Sequence, residues 1–418
     1  MRSFFLLLII SLTGVLPTFA LTMDEAVQRA LTNNPKIMQY KALEQASLAR
    51  ANKSEAPFWP SLSVSYLYTN SDDKKGYATF DQSSVSASAR YNLFNGASDW
   101  FRMTEGDYRA DAASDLLNST TADIVLEVQK AFINHLRAQR NVSTEQMSVE
   151  LLERQRKNSE LRLREGLIAR NDLLRVEVEL ASTKQRLLRA EGNLRIAGKV
   201  LAQVIGQPIN EEEDLEDFEN TPTSPAASEH ELRTEMLAAR SELRYLQNQL
   251  AADTSGRKAV RGDLLPDINV VVNYGEFGNG IYPENGDIDY DSDKRTMVEA
   301  SWTLFSGFDT RYELASRKHE ISAKRREIKV TEDLLTLQLQ EALEELRVAR
   351  GNLETARTAV AHAEENYRVN ENRYKARVAT TVDLLDAQEF LTRARNEQIK
   401  ALYDLSLAAA VLDRVLER

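Results

Sequence analysis

The sequence predicts an α+β architecture written twice in tandem. Three observations carry this: a fixed-offset internal similarity, long proline-free runs with coiled-coil spacing, and short runs of strict polar–apolar alternation. Leu93-Phe94-Asn95-Gly96 recurs as Leu304-Phe305-Ser306-Gly307, 211 residues later. The same offset relates Asp172-Leu173-Leu174 to Asp383-Leu384-Leu385, and Leu180, Leu194, Ala197 and Leu201 to Leu391, Leu405, Ala408 and Leu412. Upstream the offset is 206, relating Pro60 to Pro266 and the alternating Ser61–Tyr66 to Asp267–Val272. The difference between the two offsets falls between the proline and the Leu-Phe pair, inside one loop. Similarity held at a fixed spacing from Leu93 to the C-terminus implies a duplicated structural unit.

Residues 1–20 differ from the rest. Arg2 gives a short positive region, Phe4 to Leu16 is almost wholly apolar, and Thr18-Phe19-Ala20 resembles a small-residue cleavage site. This pattern reads as a secretory signal peptide, too short and wrongly flanked for a membrane span. The mature chain then begins near Leu21, outside the cytoplasm. The chain has no cysteine, so stability outside the cell rests on packing or assembly, and a lipid on an N-terminal cysteine is excluded. No later segment offers the roughly twenty consecutive apolar residues of a transmembrane helix, which leaves a closed β-barrel as the only membrane-spanning option. A net charge of −11 argues against nucleic acid as a partner.

The division expected is 1–20 signal peptide, 21–60 first helix of repeat one, 61–95 its β-hairpin, 96–206 its long helical hairpin, 207–230 an acidic linker, 231–265 first helix of repeat two, 266–306 its β-hairpin and 307–418 its long helical hairpin. Between Pro60 and Pro208, and again after Pro283, there is no proline, and the stretches are rich in Ala, Leu, Glu, Arg and Gln. A seam runs through Leu173, Val176, Leu180, Thr183, Leu187 and Ala190 to Val204, and another through Leu384, Ala387, Leu391, Ala394, Gln398 and Ala401 to Val415. Alternating steps of three and four keep one side facing a partner helix. Each run is broken once, at Gly166–Asp172 and at Arg377–Asp383, so each folds back as an antiparallel hairpin with Asn or Thr available to cap the second helix.

The remaining segments read as strands. Ser84 to Leu93 alternates without a fault, Leu62, Val64, Tyr66 and Tyr68 share one face, as do Ile268, Val270, Val272 and Tyr274, and Val298, Ala300, Trp302 and Leu304 share another. Runs of about ten residues cross a bilayer when tilted; a soluble half-buried sheet gives the same alternation. The joining loops, Asn70 to Gln82 and Gly275 to Asp293, are long and polar, as on the outer side of a membrane barrel. Two copies supply only four strands, while small bacterial barrels start at about eight. A membrane sheet of four would leave open edges, so the barrel has to be shared between subunits. A soluble coiled-coil scaffold leaves the four bilayer-length strands unexplained.

No catalytic constellation emerges. His135, His230, His319 and His362 are scattered, Gly275-Glu276-Phe277-Gly278-Asn279-Gly280 follows a strand into a loop rather than a helix, and the methionines do not cluster. No enzyme activity, cofactor or metal is expected.

The signal peptide, the two strand–helical-hairpin units, the Leu-Phe-x-Gly strand exits and Val382-Asp383-Leu384-Leu385-Asp386-Ala387 together resemble the TolC family of outer-membrane efflux proteins (outer membrane factors). Leu21-Thr22-Met23-Asp24-Glu25-Ala26 followed by Asn33-Asn34-Pro35 is similar to that family's mature start. The resemblance implies a homotrimer: a 12-stranded β-barrel in the outer membrane, continuous with a 12-helix α-helical barrel in the periplasm. It implies a passive exit duct for small molecules, with a periplasmic adaptor and an inner-membrane pump as partners; the same duct in a type I protein-secretion system is the alternative. It places entrance acidic rings at Asp383 and Asp386, which as Thr380-x-x-Asp383 also reads as a helix cap. It places gate contacts at Asp172 and Tyr374. Its gate arginine aligns with Ala379, leaving Arg377 and Arg170 as candidate substitutes. The turns, Gly166, Leu167, Ile168, Ala169, Val378, Ala379 and Thr380, become the expected adaptor-docking surface.

Overall fold

The computed structural model describes residues 20–71, 80–208, 215–217, 227–283 and 292–418. The signal peptide, the tips of both strand-pair loops and most of the acidic linker, including Glu211 to Asp214 and Glu219, lie outside the described residues. The described elements are α1 (Met23–Asn33), α2 (Pro35–Ser54), β1 (Ser61–Ser71), β2 (Phe80–Phe94), α3 (Ser98–Arg164) and α4 (Arg170–Ile205). They are followed by α5 (Glu229–Ala239), α6 (Ser241–Gly262), β3 (Asp267–Asn279), β4 (Ser292–Ser301), α7 (Asp309–Lys375) and α8 (Thr381–Leu416).

Beyond the strand-pair loops, which are shorter than Asn70–Gln82 and Gly275–Asp293 because β1 runs to Ser71, β2 starts at Phe80, β3 runs to Asn279 and β4 starts at Ser292, two expectations need correction. Where one helix was expected over 21–60, and one over 231–265, the chain forms two. Pro35 cannot donate to the preceding turn and opens α2 at its first position. Asn34, in extended conformation, caps it by accepting from the Lys36 and Ile37 amides at 2.8 and 3.3 Å. The second break sits at Arg240, where ψ is 116°. The other correction is that β4 stops at Ser301, so Trp302 and Leu304 lie beyond the strand.

The four strands form one antiparallel sheet in the order β1-β2-β3-β4. Its register aligns Leu62 with Ala89 and Ala89 with Val272, Val64 with Ala87, and Val270 with Val298. Because side chains alternate with period two, this places Leu62, Val64, Tyr66, Ala87, Val270 and Val298 on one face. Ser63, Ser86, Arg90, Asn273 and Glu299 lie on the other, where Arg90 Nη1 stands 3.4 Å from Glu299 Oε2. Leu62, Val64 and Val298 are 70–77 % exposed. Among the described residues the sheet thus has a largely exposed apolar face, and β1 and β4 pair with no further strand.

The strands lead into helices through paired left-handed residues, Gly96-Ala97 (φ 67° and 60°) and Gly307-Phe308 (φ 68° and 69°). At the first corner the backbones of Gly96 and Gly262 meet so closely that a Cβ on either would overlap the other chain segment. α3 and α7, at 67 residues each, extend about 100 Å at 1.5 Å per residue. Near the sheet α3 packs between α2 and α6, with α7 beside α6; towards the other end α3 packs between α4 and α8, with α7 beside α8. The lateral order therefore matches at every level: β1, α2 and α4 form one side of the molecule and β4 and α7 the other.

The core is divided accordingly. Leu232 and Met236 of α5 pack with Leu335 to Leu353 of α7 and Ala401 to Leu416 of α8. Leu21, α1, Ile124 to Leu136 of α3 and the end of α4 form a second cluster, which takes in Leu215 and Tyr403. Every seam position from Leu173 to Val204 and from Leu384 to Val415 is buried or half-buried. Leu215 of the linker pairs in parallel with Leu21. The neighbouring Asp217 accepts from Tyr403 Oη at 3.0 Å and Arg140 Nε at 2.9 Å. Burial, then the Asp217 bond, pushes the Tyr403 hydroxyl up to about 12. The accessible surface is 27488 Å² for 47.3 kDa, against about 16,000 Å² for a compact monomer of that mass. A molecule this extended leaves its sides for something else to cover.

Candidate functional site

The two helical turns lie at the end of the molecule opposite the sheet. Each reverses through one left-handed residue, Gly166 (φ 72°) in the first and Arg377 (φ 64°) in the second. Each is closed the same way, Leu167 N donating to Arg162 O and Val378 N to Arg373 O, both at 2.8 Å. This six-to-one bond, with glycine favoured at the left-handed position, is the Schellman ending of a helix. Arg377 occupies that position at a cost of about 1 kcal/mol relative to glycine. Around these reversals Leu167 and Val378 are 43 % and 69 % exposed. Gly166, Ala169 and Thr380 are exposed, and Ile168 and Ala379 half-buried. Each turn thus presents an apolar side chain to solvent.

The helices that follow start differently. Thr380 Oγ1 accepts from Asp383 N at 3.2 Å, and Asp383 Oδ2 accepts from Thr380 N and Oγ1, both at 2.8 Å. The Thr380 backbone bond first, then its hydroxyl, hold the Asp383 carboxyl below the usual carboxylate range. Ala169 occupies the matching place before α4, so Asp172 Oδ2 accepts only the Ala169 amide, at 3.2 Å. Asp383 and Asp386 are both exposed and, three apart on one helix, share a side. Asp386 lines a groove of about 480 Å³ between α4 and α8 with Asn171, Leu174, Arg175, Leu385 and Glu389.

The gate candidates are not brought together within one chain. Asp172 is engaged with Ala169, and the guanidinium groups of Arg170 and Arg377 make no hydrogen bond or ion pair among the described residues. Tyr374 is 5 % exposed and turns inward beneath α3. There Arg162 lies with its Cζ 4.4 Å from the ring centroid and donates to the Tyr374 carbonyl at 3.4 Å. A cation on an aromatic face away from water is a favourable contact of about 1–2 kcal/mol. Arg162 was not singled out from sequence. The available signal is its 211-residue correspondence with Arg373, one residue before Tyr374. The Tyr374 hydroxyl, Ser159 Oγ and Gln155 Nε2 are all buried without a hydrogen-bond partner among the described residues.

Of the histidines, His135 is held below its ordinary pKa by burial and lies against Gly198, where a Cβ would come 3.4 Å from its ring. Among the described residues no group of three His, Asp or Glu side chains could hold a metal ion.

The family model described as outer membrane efflux protein matches residues 26–207 and 232–417. The chain is 20 % identical to outer membrane protein TolC of Vibrio cholerae, over 95 % of this chain and 91 % of that protein. It is 24 % identical to alkaline protease secretion protein AprF of Pseudomonas aeruginosa, over 94 % of this chain and 82 % of that protein. Among solved structures it is similar to outer membrane protein VceC of Vibrio cholerae, with a TM-score of 0.82 at 16 % identity, covering 94 % of this chain and 95 % of that one.

Proposed function

This chain belongs to the outer membrane efflux protein family, and from that premise we propose that three copies close side by side into a 12-stranded barrel in the outer membrane, continuous with a 12-helix barrel in the periplasm. The observation that carries this reading is the matching lateral order at every level. β1, α2 and α4 lie on one side of the chain and β4 and α7 on the other, so a single rotation brings unlike edges together repeatedly and closes a ring. Unpaired strand edges are not tolerated in hydrocarbon, and the apolar sheet face supplies the lipid contact. On the helical level, Leu174, Val178, Leu188 and Ile196 of α4 and Val330, Leu334, Leu337 and Val348 of α7 are 48–70 % exposed. Joining α4 of one copy to α7 of the next would cover both sets.

The duct so formed is a passive exit route in a tripartite efflux system, fed by a periplasmic adaptor and an inner-membrane pump. Small toxic solutes are the cargo of this reading. A second reading, export of a protein by the same duct in a type I system, draws on the similarity to a relative named for alkaline protease secretion. The turns Gly166–Ala169 and Val378–Thr380 are the adaptor-docking surface, their exposed Leu167 and Val378 providing the apolar contact. Asp383 and Asp386 form acidic rings at the mouth. The depressed pKa of Asp383 keeps that ring charged, which favours cations at the entrance.

Particle mass in detergent and planar-bilayer recording test the assembly together. A particle of three chains and a stable pore are expected; a monomer that extracts without detergent would sink the proposal. Cargo is tested by deletion in the source cell: sensitisation to small toxic compounds supports the first reading, loss of a secreted protein the second.

A further inference from the structure

The helical ends nearest the sheet carry a charge pattern opposite to that of the chain. Residues 50–59, 97–109, 256–266 and 302–318 hold ten Lys and Arg against seven Asp and Glu, in a chain with 53 against 64. The excess is concentrated on α6, where Arg257, Lys258 and Arg261 are exposed in its last two turns. None of the three has a carboxylate or hydrogen-bond partner for its side chain among the described residues; Lys258 Nζ lies 5.5 Å from the Phe101 ring centroid. Ala252, Ser255, Gly256, Ala259 and Gly262 are the buried positions of the same turns, and at 3.6 residues per turn Arg257 and Arg261 point away from them. Arg50, Lys53, Arg311 and Lys318 on the ends of α2 and α7 are exposed and likewise without a side-chain partner among the described residues.

Around these cations stands a collar of exposed aromatic rings. Trp59, Trp302, Phe305 and Tyr312 are 60–72 % exposed and Trp100 is 56 %. Trp302 Nε1 donates to the Leu264 carbonyl at 3.0 Å, fixing its ring just past the end of α6. Aromatic rings settle at the headgroup level of a membrane, and long cationic side chains reach from there to phosphate. Stabilisation of the helix C-terminus would account for Arg261, but the dipole's effect fades within one turn and leaves Arg257 and Lys258 unexplained.

We propose that Arg257, Lys258 and Arg261, with the Trp302 collar, form a binding surface for anionic phospholipid headgroups on the membrane face nearest the helices. The inference rests on the sheet being the membrane-spanning part. The surface selects anionic over zwitterionic lipid, anchors the chain at a set depth, and weakens with salt.

The test uses the full-length protein as purified in mild detergent, with native mass spectrometry reading how much phosphatidylglycerol and phosphatidylcholine it retains from an equal mixture. A preference for phosphatidylglycerol on the order of tenfold at low salt is expected from three surface cations, falling as salt is raised. The triple variant R257Q/K258Q/R261Q should bring the ratio near one. Lys400→Gln on α8, away from the collar, should leave it unchanged. Inorganic phosphate added at the lipid's concentration should not compete; if it does, the site takes free phosphate and the lipid assignment is overturned. A triple variant that folds, by circular dichroism, and keeps the preference also overturns it, as does a wild type with none. Pore formation in planar bilayers, recorded in parallel, separates the outcomes: a pore without lipid preference overturns only this inference, while no pore sinks the channel reading itself.

Discussion

Where α2 begins the chain uses asparagine and proline, with glycine at the end of α4 beside them; where α6 begins, 206 residues on, it uses arginine and serine, with glutamate at the end of α8. The geometry is the same. Asn34 Nδ2 donates to the Val204 carbonyl at 2.6 Å, and Arg240 Nη1 donates to the carbonyls of Arg414 and Val415 at 2.8 and 3.4 Å. Gly206 (φ 81°) and Glu417 (φ 57°) both end their helices in the left-handed region. Pro35 has no amide hydrogen to satisfy, whereas Ser241 has one, and the Glu417 carboxylate accepts it at 2.7 Å. The first junction is neutral and self-contained. The second buries Arg240 and Arg414, at 5 % and 8 % exposure. Glu242 lies between them, 3.0 Å from Arg240 Nε and 2.6 Å from Arg414 Nη2. Burial, then the nearby Arg414, lowers the Arg240 pKa. A duplicated fold thus repeats backbone geometry while exchanging the chemistry that holds it, and the charged version holds only as a set.

The largest expected effect follows from that. Arg240→Ala leaves Glu242 with Arg414 alone, and leaves two helix-end carbonyls without their donor. Breaking a buried pair this way costs about 3–5 kcal/mol. Asn34→Ala, at the matching position, removes a neutral cap and should cost only about 1–2 kcal/mol. Guanidinium unfolding in detergent, followed by circular dichroism, measures both; equal losses would break the comparison. Gly206→Ala comes next. Its Cβ would lie 2.5 Å from the Asn33 carbonyl oxygen, and the residue stands at φ 81°. Left-handed strain and backbone overlap together should cost roughly 2–4 kcal/mol. A loss under about 1 kcal/mol would show that α1 can move away from the end of α4.

Sequence made the seams legible because spacing of three and four is a one-dimensional record of which side is buried, and Leu180, Ala190, Leu391 and Leu405 are buried where that record places them. The faces of β1 and β3 were legible for the same reason, while the register between strands came from the fold. The helix breaks were not equally so. Both were missed: Pro35 offers a local signal for one, but Arg240 carries none, since the amide of the following Ser241 is accepted by Glu417, 176 residues away. The tips show the same limit. Thr380-x-x-Asp383 could be recognised as a cap because its partners are three residues apart, whereas Arg162 over Tyr374 joins residues 212 apart. Local chemistry is written in sequence; pairings between helices require the fold.

The tips sharpen the comparison on a smaller scale. Gly166 and Arg377 share one left-handed conformation, and nothing lies within 4 Å of a Cβ built at Gly166. Gly166→Ala should therefore cost only the backbone strain, about 1 kcal/mol, and Arg377→Gly should return about the same amount. Protease nicking at the two turns measures this: Gly166→Ala should raise cutting at the first turn and Arg377→Gly lower it at the second. Unchanged cutting for Arg377→Gly would mean its side chain makes a contact with a neighbouring copy that offsets the strain.

The smallest effect concerns the helix starts. Asp383, bonded by Thr380, has a folded pKa below its unfolded value. Its contribution is therefore complete above the unfolded carboxylate value, near pH 4, and is lost as pH falls through the depressed folded value. Amide exchange in the first turn of α8 should accelerate over that acidic window relative to the helix interior, and Thr380→Val should remove much of the pH dependence. At the first tip, Ala169→Thr would complete the box that Asp172 only half makes, slowing exchange at the start of α4 by an amount equivalent to about 0.5–1 kcal/mol at neutral pH. If Ala169→Thr leaves α4 exchange unchanged while Thr380→Val loosens α8, the two turns differ in more than one side chain. The likeness of their backbones would then not extend to how firmly each helix is started.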